Sequence, residues 1–236
     1  GTELVYKLSE TDEVNEVFVY DNFTRPNHNL FIGVNKLNAG KVKFVQGELL
    51  DSRKLRKLIK GIDVVYHLAA RVSTPFADQS AHHFEQTNNW GTAELMYSIE
   101  DSNVQQLVYV SSLSVYGASS DEVDETCSLN PRTFYGISKM RGEEHVRRLS
   151  DKIKVYVFRC GNVYGYSKSM RFDSVINRFM FDANYNKRIS INGDGNQRRS
   201  FIHVDKVTDV LMAAIKAGIS PGTYNLVDRV LSINDI

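Results

Sequence analysis

Tyr135 and Lys139 stand four residues apart in TFYGISK (133–139), and Ser111 and Ser112 close the run QLVYVSS (106–112) ahead of them. A phenol of pKa about 10 is a poor base at neutral pH. An ammonium about 5 Å away, at an effective dielectric of about 20, is worth roughly 3 kcal/mol, or about two pKa units. Tyr135 could then take a proton from a substrate hydroxyl while hydride leaves the same carbon, with Ser112 holding the oxygen. The spacing alone decides nothing, because about one Tyr-x-x-x-Lys match is expected by chance in a chain with 12 Tyr. A second pair, Tyr164 and Lys168 in YGYSK, follows CGN in an apparent loop with no helical face, and is read as chance.

These groups need a scaffold. At 236 residues the chain supports a sizeable core. Lys plus Arg (29) nearly balance Asp plus Glu (28), so no global field draws it to nucleic acid or an anionic membrane. Cys127 and Cys160 are only two and lack CxxC spacing, so neither a disulfide framework nor a zinc site is indicated. No apolar run is long enough to span a membrane, nothing at the start has signal-peptide character, and a reducing, cytoplasmic setting is the expectation.

Apolar runs alternate with amphipathic ones. EVFVYD (16–21), VKFVQ (42–46), DVVYHLAA (63–70), QLVYVSS (106–112) and KVYVFR (154–159) suit strands buried on both faces. Helical patterns cover roughly 2–10, 51–60, 83–101, 133–149, 170–183 and 204–218. DSRKLRKLIKGID shows the rule, with Asp51 or Ser52 as cap and Gly61 as stop. The alternation predicts an α/β fold with a doubly wound, Rossmann-like parallel sheet. The acidic stretch SSDEVDET (119–126) is most simply a solvated loop.

The chain opens as a helix with no strand before it, with Gly1 as the last glycine of a phosphate-binding turn, and stops where another helix begins. The expectation is a sequence truncated at both ends. Its dinucleotide-binding part runs over 1–162, and a partial substrate lobe over 163–236 interleaves with the last strands. Asp21 ends the second strand of such a fold, where a carboxylate accepts from the adenosine ribose hydroxyls. Its charge favours NAD over NADP, and Arg25 softens that preference. The plainer alternative is an ordinary turn Asp.

Taken together, these segments resemble the extended short-chain dehydrogenase/reductases that act on nucleotide sugars, the NAD-dependent epimerase/dehydratase group. DVVYHLAA, TNNWGT, YVSSLSVYG, NPRTFYGISK, FRCGNVYG and INGDGNQRRSFIHVDKV match in order. The resemblance implies Ser112, Tyr135 and Lys139 as catalytic residues. It implies NAD held by Gly1, Asp21, Asn22, Glu48, Leu49, Leu68, Ala69, Ala70 and Asn88 together with Tyr135 and Lys139. It gives Asn162 and Arg199, with Ser112, to the nucleoside-diphosphate sugar, Arg being a bidentate phosphate donor. It also implies a homodimer through a four-helix bundle built on 83–101 and 133–149, with neither metal nor nucleic acid nor membrane as partner.

Departures narrow the reaction. Glu48 stands where many members have Asp, and Tyr166 where proline is usual. The family's 4,6-dehydratases carry an Asp-Glu pair directly after the catalytic Ser or Thr, and its decarboxylases a Glu at the second of those positions. Here the residues are Leu113 and Ser114. Epimerisation by transient oxidation to a keto sugar and hydride return is the expectation. The alternative is a reductase or dehydrogenase of a nucleotide-linked sugar, and a catalytically silent binder is a third reading. Other candidates are structural in this reading. His82 and His83 are neighbours on a helix and should diverge, His67 and His203 flank strands, the aromatics of RFMFDANY should pack a core, and Cys160 is a small buried hydrophobe.

Overall fold

The computed structural model describes residues 1–25, 28–32, 37–72, 81–119, 121–216 and 218–236. Residues 120 and 217, inside the acidic stretch and the last expected helix, lie outside the described residues. In chain order come α1 (Thr2–Glu10), β1 (Val17–Asp21), β2 (Val42–Gln46), α2 (Ser52–Ile59), β3 (Val64–His67), α3 (Ala81–Phe84), α4 (Gly91–Glu100) and β4 (Gln106–Ser112). They are followed by α5 (Phe134–Arg147), β5 (Lys154–Cys160), β6 (Asn162–Tyr164), α6 (Val175–Phe181), β7 (Arg198–His203), α7 (Val204–Ile215), β8 (Gly222–Leu226) and β9 (Arg229–Ser232). The chain divides into two compact units that interleave in sequence. One comprises 1–45, 160–213 and 226–236, the other 46–159 and 214–225.

The second unit is built on a sheet of order β3-β4-β5-β8, with β3 and β4 parallel and Val64 opposite Gln106. Val and Tyr dominate β4 and β5, which are covered on both faces, and Leu107, Val108 and Tyr109 have no exposure. Asp51 is the cap of α2, its Oδ1 accepting from the Lys54 amide at 3.1 Å. The helix expected at 83–101 runs from 81 to 100, but its middle, Glu85–Trp90, is a π-helical turn. Such turns carry one extra residue and often sit at functional positions. Here the turn carries Asn88 and Asn89, both buried.

The helix 81–100 lies against α5. Glu85 pairs with Arg141 at 2.8 Å, and Asn89 Oδ1 meets His145 Nε2 at 2.9 Å. Against the expectation that they diverge, the His82 and His83 rings are 4.0 Å apart; among the described residues no group of three His, Cys, Asp or Glu could hold a metal. The acidic stretch is less free than expected, since Glu125 Oε1 accepts from the Asn225 amide at 2.6 Å.

In the first unit β6, β7 and β9 form one sheet, β6 parallel and β9 antiparallel to β7. α1 buries Leu4, Val5 and Leu8 on one face. The chance reading of Tyr164 and Lys168 agrees with the geometry. Lys168 Nζ binds the Tyr6 hydroxyl at 2.8 Å, whereas the Tyr164 ring packs edge-on against Phe201 and His203. The aromatics of RFMFDANY correct their expectation: Phe179 is half-buried, while Phe181 and Tyr185 are exposed, with Phe181 in ring contact with Tyr185 and edge-on to the exposed Phe172 upstream. What α6 buries is polar. Asn177 accepts from the Gly165 amide and donates to the Arg171 carbonyl, so the helix is pinned by an amide while the Phe181 ring faces out.

Gly142 decides how closely α5 approaches β4. A Cβ there would lie 2.5 Å from the Tyr109 hydroxyl and 2.9 Å from the Asn88 carbonyl oxygen. Gly142→Ala is expected to destabilise the protein by about 1–3 kcal/mol, the usual cost of overpacking. Equilibrium urea unfolding checks this; an unchanged midpoint would show that α5 can move away.

Candidate active site

Three local devices in the second unit bring Ser112, Tyr135 and Lys139 to the C-terminal end of β4. First, Thr133 caps α5, its Oγ1 accepting the Gly136 amide at 3.0 Å, which fixes the turn that carries Tyr135. Second, β4 ends at Ser112, which caps a single 3₁₀ turn over Leu113–Tyr116. Third, that turn rests on Gly136: a Cβ on Gly136 would stand 2.6 Å from the Ser114 carbonyl oxygen. Glycine beside Tyr135 is what lets the serine turn and the tyrosine helix touch.

Lys139 is 2% exposed. Its Nζ donates to the Val110 carbonyl at 2.7 Å and lies 4.1 Å over the Tyr109 ring, a cation–π contact. Of the two phenols around it, Tyr109 is buried, and burial, then the Glu143 charge, push its pKa well above 10. Tyr135 keeps part of its surface exposed.

Asn88 works on backbone. Its Oδ1 accepts from the Arg71 amide at 2.7 Å, and its Nδ2 donates to the Arg71 carbonyl at 2.8 Å and to Ser138 Oγ at 3.0 Å. Ser138 in turn donates to the Tyr135 carbonyl at 2.8 Å. One amide thus ties the segment after β3, which holds Leu68, Ala69 and Ala70, to the helix of Tyr135 and Lys139. Leu49 packs on the start of α4, where a Cβ on Gly91 would lie 2.9 Å from its own Cβ, and Glu48 is exposed.

Behind the serine lies a buried ionic cluster. Glu143, fully buried, receives Arg159 Nη2 at 2.8 Å, Arg147 Nη2 at 2.7 Å and Ser111 Oγ at 2.6 Å. Arg159, 2% exposed, also donates from Nη1 to the Tyr116 hydroxyl at 2.6 Å, which passes its own proton to Asn225 Oδ1 at 2.9 Å. Removing one partner of such a pair costs about 3–5 kcal/mol. Sequence reasoning missed this cluster, and Ser138 with it. The signal was there: an arginine inside the apolar run KVYVFRC needs a buried carboxylate, and Glu143 follows Lys139 by one helical turn.

The remaining candidates belong to the first unit. Gly1 caps α1 and offers no side chain; a Cβ there would meet nothing within 4 Å. Asp21 ends β1 and accepts the Phe23 amide on Oδ1 at 2.7 Å, and Asn22 accepts the Thr24 amide at 3.0 Å. Asn162, on β6, donates to the Ser200 carbonyl at 3.1 Å, and Arg199, on β7, is exposed.

A family model described as the NAD dependent epimerase/dehydratase family matches residues 1–226. The chain belongs to this family. Family relatives span two reactions. The mouse dTDP-D-glucose 4,6-dehydratase is 31% identical over 194 residues, covering 80% of this chain and 54% of that protein. The UDP-glucose 4-epimerase of Lactobacillus helveticus is 29% identical over 236 residues, covering 92% of this chain and 68% of that protein. This chain therefore spans about half the length of the dehydratase. Among solved structures, the Bacillus cereus UDP-glucuronic acid 4-epimerase, in complex with UDP-4-deoxy-4-fluoro-glucuronic acid and NAD, superposes with a TM-score of 0.84 at 26% identity. It matches over 100% of this chain and 76% of that one.

His67, at the end of β3, is buried, and its hydrogen bonding fixes Nε2 as a donor. Thr92 Oγ1 gives its one proton to the Asn88 carbonyl at 2.7 Å, so His67 Nε2, 2.9 Å away, must be the donor to Thr92. Burial, then the Lys139 charge, lower the His67 pKa to about 3. The unfolded chain takes up this proton near pH 6.5. Between those values the unfolded state binds more protons, so this contribution to stability is complete above about pH 6.5 and lost as the pH falls toward 3. We expect the thermal midpoint to drop from pH 7 to pH 4.5, and to drop less in His67→Gln. Parallel curves for the two proteins would contradict this.

Proposed function

We propose that this chain belongs to an NAD-dependent epimerase that acts on a nucleoside-diphosphate sugar. What carries the reading is the turn after Ser112. It holds Leu113 and Ser114, hydrocarbon and hydroxyl, where elimination of water needs a further acid and base. Ser112, Tyr135 and Lys139 suffice for oxidation and its reversal at one carbon.

Each unit, taken by itself, carries parts suited to the cofactor. A glycine-capped helix, a carboxylate ending the following strand, and a clamped segment after β3 are the parts that a dinucleotide uses. Gly1 would take the pyrophosphate, Asp21 and Asn22 the ribose, Glu48 and Leu49 the adenine surroundings, and Leu68, Ala69, Ala70 and Asn88 the run toward the nicotinamide. When bound, NAD supplies a hydride acceptor that is regenerated when the hydride returns. Tyr135 removes the sugar hydroxyl proton and later restores it, Lys139 favours the phenolate, and Ser112 holds the oxygen. Asn162 and Arg199 hold the sugar nucleotide. In this reading 1–162 serve the cofactor and 163–236 the substrate, and a cysteine usage of two residues without CxxC spacing suits a reducing, cytoplasmic setting.

Proton NMR of a nucleotide-sugar panel with substoichiometric NAD tests the reaction. We expect a second anomeric signal that grows to equilibrium without net cofactor reduction. Tyr135→Phe should lower the rate by about 10²–10⁴-fold, the range of general acid–base catalysis. Conversion that stalls at one equivalent of cofactor would mean a dehydrogenase or reductase, and cofactor binding with no conversion a silent binder.

We also propose a homodimer through the helix 81–100 and α5. Trp90 (56% exposed) and Tyr97 (41%) stand about two turns apart on that helix and leave a large aromatic surface in solvent. Sedimentation should find a dimer, converted to monomer by Trp90→Glu; a monomeric parent protein overturns the assignment.

A further inference from the structure

Ser114 reaches Ser112 twice. Its amide lies 3.2 Å and its hydroxyl 3.0 Å from Ser112 Oγ. A serine hydroxyl has one proton and two lone pairs. The Ser114 amide fills one lone pair whichever way the hydroxyls turn. With Ser114 Oγ donating, the second is filled as well, and the only function left to Ser112 is its own proton. In the reverse orientation Ser112 would give that proton to Ser114 and could only accept. A ketone oxygen has no proton to give, so a keto sugar selects the first arrangement. The backbone of Ser114 is fixed for this role, its carbonyl accepting the Gly117 amide at 3.2 Å and resting on Gly136.

We infer that Ser114 is a positioning residue that holds Ser112 as a one-way hydrogen-bond donor to the substrate oxygen. This rests on the function proposed above and assigns a direction to its proton transfer. The sugar oxygen accepts from Ser112, and the sugar hydroxyl proton has Tyr135 as its acceptor, because Ser112 has no lone pair to compete for it. The position that supplies a carboxylic acid in related decarboxylases here supplies polarity instead.

The test compares Ser114→Ala and Ser114→Thr in the full chain, with a sugar nucleotide that the parent protein converts. Ser114→Ala opens a lone pair on Ser112 and permits an unproductive orientation of the sugar hydroxyl. We expect kcat to fall about tenfold, the scale of one hydrogen bond, while KM and the calorimetric Kd for the sugar nucleotide change less than about threefold and the thermal midpoint is unmoved. Ser114→Thr, which keeps the hydroxyl, should restore kcat to within about threefold. Retention of the parent kcat by Ser114→Ala overturns the inference. So does an equal loss in both variants with a lowered thermal midpoint, which would make Ser114 a packing residue. A parent protein that converts no sugar nucleotide overturns the functional reading and this inference with it, an outcome distinct from an active parent with an indifferent Ser114→Ala.

Discussion

The buried pair of Glu143 and Arg159 is the constraint on which the candidate site depends. Two charges removed from water are costly unless every polar atom around them is engaged. Here the carboxylate takes hydrogen bonds from Arg159, Arg147 and Ser111, and the guanidinium reaches on to Tyr116. Those partners are not arbitrary. Ser111 precedes Ser112, Tyr116 ends the turn that Ser112 caps, and Glu143 lies one helical turn beyond Lys139. Satisfying the pair therefore fixes β4, the serine turn and α5 together, and joins them to β5 and, through Asn225, to β8.

Around that anchor the polar groups divide by task. Lys139 is kept dry, against the Val110 carbonyl and the Tyr109 ring, where its charge acts strongly on nearby groups. Its effect on His67 is the visible case. Tyr109 and His67 are pushed toward their neutral forms, so the ammonium has no competing phenolate or imidazolium beside it. Asn88, Ser138 and Thr92 use their hydrogen bonds on backbone and on one another, which makes them rigid supports, while Ser112 and Tyr135 keep some surface for a ligand.

Much of this was legible in the sequence, unevenly and for physical reasons. TFYGISK carries its capping threonine, its contact glycine and both chemical groups in seven consecutive residues, so local pattern sufficed. β4 and β5 announced themselves because burial on both faces demands unbroken apolar runs, whereas the expected burial on both faces fails for β1 and β2, which are mostly half-buried. Arg159 was hidden inside one of those runs: its partner is distant in sequence, and only packing reveals that the two meet. The π-helical turn around Asn88 was equally hidden, since one extra residue barely disturbs an apolar repeat. The rings of RFMFDANY misled because aromatic content signals burial on average, whereas α6 is pinned through Asn177. Ser114 was read only as the absence of an acid, and its bond to Ser112 required coordinates.

The central claim is that hydride leaves one sugar carbon and returns to that same carbon within one turnover. A nucleotide sugar deuterated at the reacting carbon tests it most directly, with the product examined by NMR and mass spectrometry in the presence of unlabelled NAD. The account predicts an epimeric product that keeps its deuterium at the original carbon. Deuterium released into free cofactor, or moved to a different carbon with loss of water, would contradict it.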